Sequence, residues 1–121
     1  MAGLQRLAIA HTLRKLSLFD PNDTNPHYTT DLVPVQGSIE ANFYIKWDSY
    51  SGTTGIDISV QTYDPVTDLW FDLIAFSRIT AASGSEKETV ASNLGWQLRL
   101  KMVGVTGDEQ ANIGVGAVVK S

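Results

Sequence analysis

The stretch TTGIDISVQTYDPVTDLWFDLIAF, residues 53–76, decides the fold. Apolar side chains occupy alternate positions of residues 56–60, and a period of two gives a strand one apolar and one polar face. Pro65 follows in a short segment with an aspartate at each end, which is typical of a tight turn. Residues 69–76 are then rich in aromatic and branched side chains. The stretch therefore predicts a β-hairpin that supplies half of a β-sandwich core.

The same alternation recurs on both sides of the hairpin. Residues 39–47 and 96–103 carry apolar side chains at every second position, and residues 111–119 do so with glycines on the opposite face. Residues 28–35 predict a short strand, which Pro34 ends or confines to an edge. Seven or eight strands at roughly ten-residue spacing predict an all-β fold, a single antiparallel β-sandwich that is jelly-roll-like.

The chain divides into two parts by composition. Residues 20–121 are interpreted as the sandwich domain, with the polar residues 80–88 as a solvated loop. Residues 1–19 are interpreted as an N-terminal arm or an outer strand, because they hold three cations and no acid and their apolar positions fit helical or strand spacing. An arm would pack on a neighbouring subunit, and a helix would lie on a membrane surface. The subunit-contact residues predicted for the arm are Leu4, Arg6, Leu7, Ile9, Leu13, Arg14 and Leu16.

Composition bounds the classes of function. The 121 residues make one domain that is 43% apolar and has no cysteine, so neither a disulfide nor a thiolate site forms. A net charge of −4 disfavours binding to a nucleic-acid backbone. The first apolar residues are interrupted by Gln5 and Arg6, and no run approaches the roughly 18 apolar residues of a membrane span. We expect no nucleic-acid partner, no membrane span and synthesis in the cytosol.

Residues for catalysis or cofactor binding are sparse. The two histidines, His11 and His27, have no nucleophile elbow beside them and are too few for a zinc site. A calcium-loop spacing begins at Asp20, but Asn25 stands where the loop needs glycine and Asp31 where it needs glutamate. The sequence therefore predicts no catalytic, cofactor-binding or metal-binding residue, and a protein that is not an enzyme.

Aromatic residues near the predicted strand ends allow a second kind of function. Tyr50, Tyr63 and Trp70 could form a platform on which sugar rings stack, or they could fill the core. Trp47 and Trp96 are in phase with apolar strand positions, so we expect both to be buried. The platform hypothesis requires the three candidate residues to be exposed together.

Several of these motifs resemble those of one family. The strand TTGIDISVQ (residues 53–61), the turn at residues 64–65 and the strand WFDL (residues 70–73) are similar to small β-sandwich virion proteins of tailed bacteriophages. The strand LRLK (residues 98–101) and the turn VGVTG (residues 103–107) extend the likeness. The chain departs from the family at residues 108–109, Asp-Glu, where members often carry Gly-Thr after the turn.

The resemblance implies a function that the residues alone do not. A member of this family is a non-enzymatic structural or accessory subunit of the virion, placed at the head, neck or tail. It assembles in multiple copies, so its partners would be other virion proteins and itself, and it would be made in the host cytoplasm and end in the virion. Sandwich edges and the N-terminal arm would make the contacts. The alternative is a carbohydrate-binding module, lectin-like or receptor-binding.

Overall fold

The computed structural model describes residues 7–13, 24–28, 33–34, 40–90 and 97–120. Each regular element in these ranges is a β-strand. In chain order the strands are β1 (Leu7–Leu13), β2 (His27–Tyr28), β3 (Val33–Pro34), β4 (Glu40–Ser51), β5 (Ile56–Asp64), β6 (Leu69–Ala75), β7 (Gly84–Val90), β8 (Gln97–Gly104) and β9 (Gln110–Lys120).

The strands form two antiparallel sheets. The order is β1-β9-β4-β7 in the first sheet and β2-β8-β5-β6 in the second, with β3 also paired to β8. His27 pairs with Met102; an unbroken register would then pair Val33 with position 96, but Val33 pairs with Leu98. β2 and β3 both pair with β8, so they occupy one strand position in the second sheet. With the seven longer strands of the described residues this makes the eight strand positions of a jelly roll, and the predicted fold class is confirmed.

The predicted hairpin is formed by β5 and β6. In its turn, the Asp64 carboxylate accepts a hydrogen bond from the N–H of Val66 at 3.1 Å, and the N–H of Asp68 donates to the Asp64 carbonyl at 2.9 Å. A bulge lies where the register shifts between Val60 and Gln61, and both of these side chains are buried. The extra residue is Leu73 on β6, whereas β5 keeps an unbroken register with β8. Gln61 therefore pairs with Arg99 on the face away from the core and is buried there by its neighbours.

The core lies between the two sheets and is built from the alternating apolar positions of the long strands. Gln97–Gly104 shows the pattern most regularly, with buried and half-buried side chains in strict alternation. Between Ile113 and Ala117 the two glycines occupy the positions that face away from the core. The buried apolar residues are Ala41, Phe43, Ile45, Ile56, Ile58, Val60, Phe76, Ile79, Leu98, Leu100, Met102, Ala111, Ile113, Val115 and Ala117.

The solvated loop predicted for residues 80–88 is wrong over most of its length. Residues 84–90 form β7, which pairs with β4 along seven residue pairs. Glu86 and Glu88 pair with Ile45 and Phe43, so they stand where an apolar residue was expected. Two carboxylates at the positions facing the other sheet concealed the strand from a search for hydrophobic alternation.

Two further predictions are met in part. Of the strand predicted for residues 28–35, Tyr28 lies in β2 and Val33–Pro34 form β3, and the remaining residues lie outside the described part of the chain. Trp47, expected to be buried, is half-buried and packs against the edge of the core, with its Nε1 donating to the Ala81 carbonyl at 3.0 Å. A Cβ atom on Gly84 would lie 2.5 Å from the Trp47 ring, so the ring requires glycine there. Trp96 lies outside the described residues.

Residues 7–13 of the N-terminal segment form a strand at the edge of the first sheet. β1 pairs with β9 through seven residue pairs, from Leu7 with Val119 to Leu13 with Ile113. This is the outer-strand alternative for that part of the segment. Residues 1–6 and 14–19, together with most of the calcium-like spacing, lie outside the described residues.

Candidate functional site

The predicted subunit-contact residues fall partly within the described chain. Leu7, Ile9 and Leu13 belong to β1, where Ile9 pairs with Ala117. Leu4, Arg6, Arg14 and Leu16 lie outside the described residues. Part of this set therefore belongs to an edge strand of the first sheet.

The candidate sugar-stacking residues are divided between two ends of the sandwich. Tyr63 and Trp70 form a cross-strand pair, with ring centroids 5.2 Å apart and ring planes inclined at 49°. Tyr50 lies near the start of β5: its N–H donates to Ala82, and its pKa is raised by burial and then by the nearby charge of Glu109. Tyr63 lies seven residues further along β5 than Ile56. The three side chains therefore do not form one platform.

An arginine occupies the aromatic surface beside Trp70. The Arg99 guanidinium carbon lies 3.8 Å from the centroid of the Tyr28 ring and 4.2 Å from that of the Trp70 ring. Its Nε donates to Gln61 Oε1 at 2.9 Å, and Gln61 Nε2 donates to Asp72 Oδ1 at 2.9 Å. Because the guanidinium covers a face of each ring, this cluster links β2, β8, β5 and β6 as a cross-strand stack.

A buried carboxylate joins two distant loops at one end of the sandwich. Glu109 has 0% exposure, and its Oε2 accepts hydrogen bonds from the N–H groups of Thr54 and Gly55 at 3.0 and 3.1 Å. Its Oε1 accepts from the N–H groups of Thr106 and Gly107, each at 2.9 Å. The Thr106 hydroxyl donates to Glu109 as well. This arrangement satisfies the buried charge with five donors.

The neighbouring Asp108 adds a second set of bonds. It accepts from the N–H of Thr53 at 3.1 Å and from the Thr53 hydroxyl, and it shares the single proton of the Thr106 hydroxyl with Glu109. Hydrogen bonds from Thr53 and then Thr106 lower the pKa of Asp108 to about 2. Residues 53–55 and 106–109 are called the carboxylate corner below. Two of the motifs that carry the family resemblance, TTG and TG, therefore meet at the residues that depart from it.

Burial and hydrogen bonding act on Glu109 in opposite directions. Burial alone would raise the pKa of this carboxyl, because it removes the charged form from water. Hydrogen bonds from the Thr106 hydroxyl and from the N–H groups of Thr54, Gly55 and Thr106 outweigh burial and bring the pKa to about 2. The corner is therefore held by an ionised carboxylate at neutral pH.

Exposed apolar side chains are concentrated on the β5–β6 hairpin. Val66 is 90% exposed, Leu69 54% and Phe71 49%. They are called the apolar tip. β6 is the last strand of its sheet and pairs only with β5 in the part of the chain that the structure describes. Large apolar side chains on an open sheet edge are typical of a contact surface.

β7, the other edge strand on this side of the sandwich, is protected against pairing with a further strand. β7 is the last strand of the first sheet and carries Glu86 and Glu88 at positions that pair with core residues. Burial and the neighbouring Glu86 carboxylate raise the pKa of Glu88. The Glu86 carboxylate accepts from the N–H of Ser77 at 3.0 Å. Inward carboxylates oppose the addition of another strand, because that would remove them from water.

A groove of about 420 Å³ lies on the outer face of the first sheet. Tyr44 and Lys46 of β4 stand between β7 and β9 and pair across to Gly116 and Gly114. Lys87 pairs with Tyr44 from the other side. Both lysines are exposed, and Tyr44 is 40% exposed. Tyr44, Lys46, Lys87, Gly114 and Gly116 are called the lysine groove.

We find no metal-binding cluster in the described part of the chain. No group of three or more His, Asp and Glu side chains that could bind a metal ion occurs within residues 7–13, 24–28, 33–34, 40–90 and 97–120. Within the same ranges no helix has the length and apolar character of a bilayer span.

The chain matches no protein-family model and no curated protein sequence. Among solved structures it is similar to a Bacillus endospore appendage from a family of disulfide-linked pili. The identity is 18%, over 98% of this chain and 87% of that chain, with a TM-score of 0.47. No conclusion about function rests on this similarity.

Three features of the structure were not predicted from the sequence. The lysine groove was missed because its members come from β4, β7 and β9, and β7 itself was not recognised. The carboxylate corner was missed because its hydrogen bonds join residues 54 or 55 positions apart. The exposed side of the hairpin had a signal in the sequence, since Val66 lies in a turn.

Proposed function

We propose that this chain is a non-enzymatic structural subunit of a tailed-phage virion that assembles in multiple copies. The observation that carries the proposal is that the two neighbouring edge strands, β6 and β7, carry side chains of opposite character. β7 carries inward carboxylates, whereas β6 presents Leu69 and Phe71 at 54% and 49% exposure. A subunit that must associate at one edge and not at the other needs this asymmetry.

The sequence motifs and the fold also support the proposal. The TTG, W-x-D-L, L-R-L-K and V-x-x-T-G motifs resemble those of phage β-sandwich virion proteins, and five of their residues lie together in the carboxylate corner. The corner gives the motifs a structural role, since it closes one end of the jelly roll. Jelly rolls serve in both viral capsids and lectins, so the fold itself does not choose between the two functions.

The carbohydrate-binding alternative has less support from the geometry. Tyr50 lies apart from Tyr63 and Trp70, and the Arg99 guanidinium already stacks on a Trp70 face. A sugar ring needs an aromatic face that is open to solvent. A glycan array that compares the wild type with Tyr63→Ala tests this directly. We expect no glycan that binds the wild type and fails to bind the variant. A glycan whose binding depends on Tyr63 would favour the alternative.

Immunogold electron microscopy tests the virion role. Tailed phage particles are purified from cells that carry the gene and are labelled with an antibody against this chain. We expect gold at repeated positions on intact particles, because a structural subunit is present in many copies. Label that separates from the particles on a density gradient would contradict the proposal.

Light scattering behind size exclusion tests association in solution. Phe71→Lys places a charge on the open edge, and we expect it to reduce the mass of the assembled species at equal protein concentration. Thr80→Lys, at an exposed position outside the apolar tip, is the matched control and should leave the mass unchanged. Equal reduction by both variants would indicate a general effect of charge rather than a specific edge.

A further inference from the structure

We infer that the apolar tip of one copy docks into the lysine groove on a second copy of this chain. The inference rests on the proposed function and names the two surfaces that make the contact. It commits to a head-to-tail arrangement in which each copy offers one surface to the copy before it and the other to the copy after it.

The tip combines apolar area with negative charge. Val66, the most exposed of the large apolar residues at 90%, stands at the end of the hairpin between Asp64 and Asp68. Asp72 lies further along β6, and residues 64–72 contain no cation. Asp64 and Asp68 are held in place by hydrogen bonds from Thr67 and Tyr63, so their carboxylates have fixed positions. The tip therefore presents a rigid apolar end flanked by carboxylates.

The groove has the complementary chemistry. Lys46 and Lys87 are exposed at its wall, and Tyr44 supplies an apolar surface between them. Glu86 also contributes to the lining, but its carboxylate is engaged by the N–H of Ser77. Gly114 and Gly116 form the floor, and the space above Gly114 is open: a Cβ there would meet only the Lys46 carbonyl, at 4.0 Å.

The two surfaces cannot meet within one chain. The tip belongs to the hairpin of the second sheet, and the groove lies on the outer face of the first sheet. A tip in the groove of another copy leaves that copy's own tip free for a third copy. Such a heterologous contact repeats, and it produces a ring if the rotation closes or a filament if it does not. This is the behaviour required of a repeated structural subunit.

Charge reversal tests the contact in the full-length protein. Asp68→Lys with Asp72→Lys changes the net charge of residues 64–72 from −3 to +1, and Lys46→Glu with Lys87→Glu reverses the charge of the groove. We expect each pair of substitutions to weaken self-association about tenfold or more in sedimentation velocity. The two pairs combined should restore the wild-type constant to within about threefold, because the new lysines then face the new carboxylates. Additive weakening in the combined variant would overturn the inference.

Cysteine pairing locates the contact independently of its strength. The chain has no native cysteine, so Val66→Cys and Ser85→Cys each introduce one thiol, the second at a groove-lining position. After mixing and mild oxidation we expect the mixed disulfide dimer to exceed both homodimers by mass spectrometry, since a disulfide requires close approach. Thr80→Cys replaces Ser85→Cys in the control mixture.

The outcomes separate this inference from the proposed function. A disulfide homodimer of the Val66→Cys variant as the main product, or no excess of the mixed dimer over the Thr80→Cys control, would overturn the tip-to-groove contact. Wild-type oligomers that survive both charge variants would overturn the contact and leave the structural-subunit proposal standing. Virions that carry no immunogold label would overturn the proposed function, whatever the result of the disulfide experiment.

Discussion

Replacing Glu109 with glutamine removes one of two acceptor atoms in the carboxylate corner. The carboxylate holds four backbone N–H groups, two on each oxygen, and is fully buried. Glutamine keeps one carbonyl oxygen and turns the other position into an NH₂ group, so two backbone N–H groups lose their acceptor. A buried donor without a partner costs about 1–3 kcal/mol, and the expected loss of folding free energy is therefore about 2–6 kcal/mol.

The pH dependence gives a second route to the same magnitude. The pKa of Glu109 falls from its ordinary value of 4.5 to about 2 in the folded chain. Because the folded pKa is the lower one, the stabilisation is complete above pH 4.5 and is lost as the pH falls from 4.5 towards 2. A difference of this size corresponds to about 3 kcal/mol at neutral pH, which lies within the range obtained from the hydrogen bonds.

Urea unfolding followed by tryptophan fluorescence measures both effects. The Glu109→Gln variant should be less stable than wild type at pH 7, and the gap should narrow as the pH falls towards 2, where the wild-type carboxyl becomes protonated. Glu88→Gln is the matched control on β7. Burial and Glu86 raise the pKa of Glu88, so its neutralisation should cause no measurable loss of stability at pH 7.

Two results would refute this account of the corner. A loss below about 1 kcal/mol for Glu109→Gln would mean that the N–H groups find other acceptors, so that the carboxylate is not their essential partner. A gap that stays constant between pH 7 and pH 2 would mean that the destabilisation comes from packing and not from the charge. Either result would mean that the ionised Glu109 carboxylate is not what connects the two loops.

Two further predictions concern the core and the second sheet. Phe43→Ala, at 1% exposure, should cost about 3–5 kcal/mol in urea unfolding, whereas Phe71→Ala, at 49% exposure, should cost less than about 1 kcal/mol and should weaken association; equal costs would contradict the division into core and tip. Arg99→Lys should cost about 1–2 kcal/mol, since lysine does not stack as a plane between Tyr28 and Trp70, and recovery of wild-type stability in that variant would show that charge alone suffices.

The jelly roll could be predicted because most long strands are half-buried. Residues 97–104 and 56–60 face the core on one side and solvent on the other, so a period of two appears directly in the sequence. The hairpin turn was equally visible, since Asp64 and Pro65 are typical turn residues. At these positions the local preference for strand or turn and the burial of apolar side chains in one core favour the same structure.

The remaining features depend on contacts that sequence periodicity does not record. β7 lacks apolar alternation because Glu86 and Glu88 take the positions that pair with Ile45 and Phe43. Trp47 is only half-buried because it lies on β4 beside the edge strand and covers Gly84. In both cases the residue lies on or beside an edge strand, where the alternation and burial typical of a central strand do not hold.

The aromatic candidates show the same limit for the site. Tyr50, Tyr63 and Trp70 share a residue class and a position near strand ends, but nothing in the sequence states which end of the sandwich each one reaches. The pairing of Tyr63 with Trp70 follows from the hairpin register, which the sequence predicts well. The position of Tyr50 follows from the connection between the two sheets, which the sequence does not specify.

The contrast between β6 and β7 suggests how a jelly roll with open edges avoids uncontrolled association. A partner strand on β7 would have to desolvate two carboxylates, and burial already raises the pKa of one of them, Glu88, so the addition of a strand there is opposed. A partner at β6 would instead cover Leu69 and Phe71, and each square ångström of apolar area removed from water contributes about 25 cal/mol. One favourable and one unfavourable edge give assembly a direction, and a directed contact between identical copies builds a defined structure where two equal edges would give aggregates.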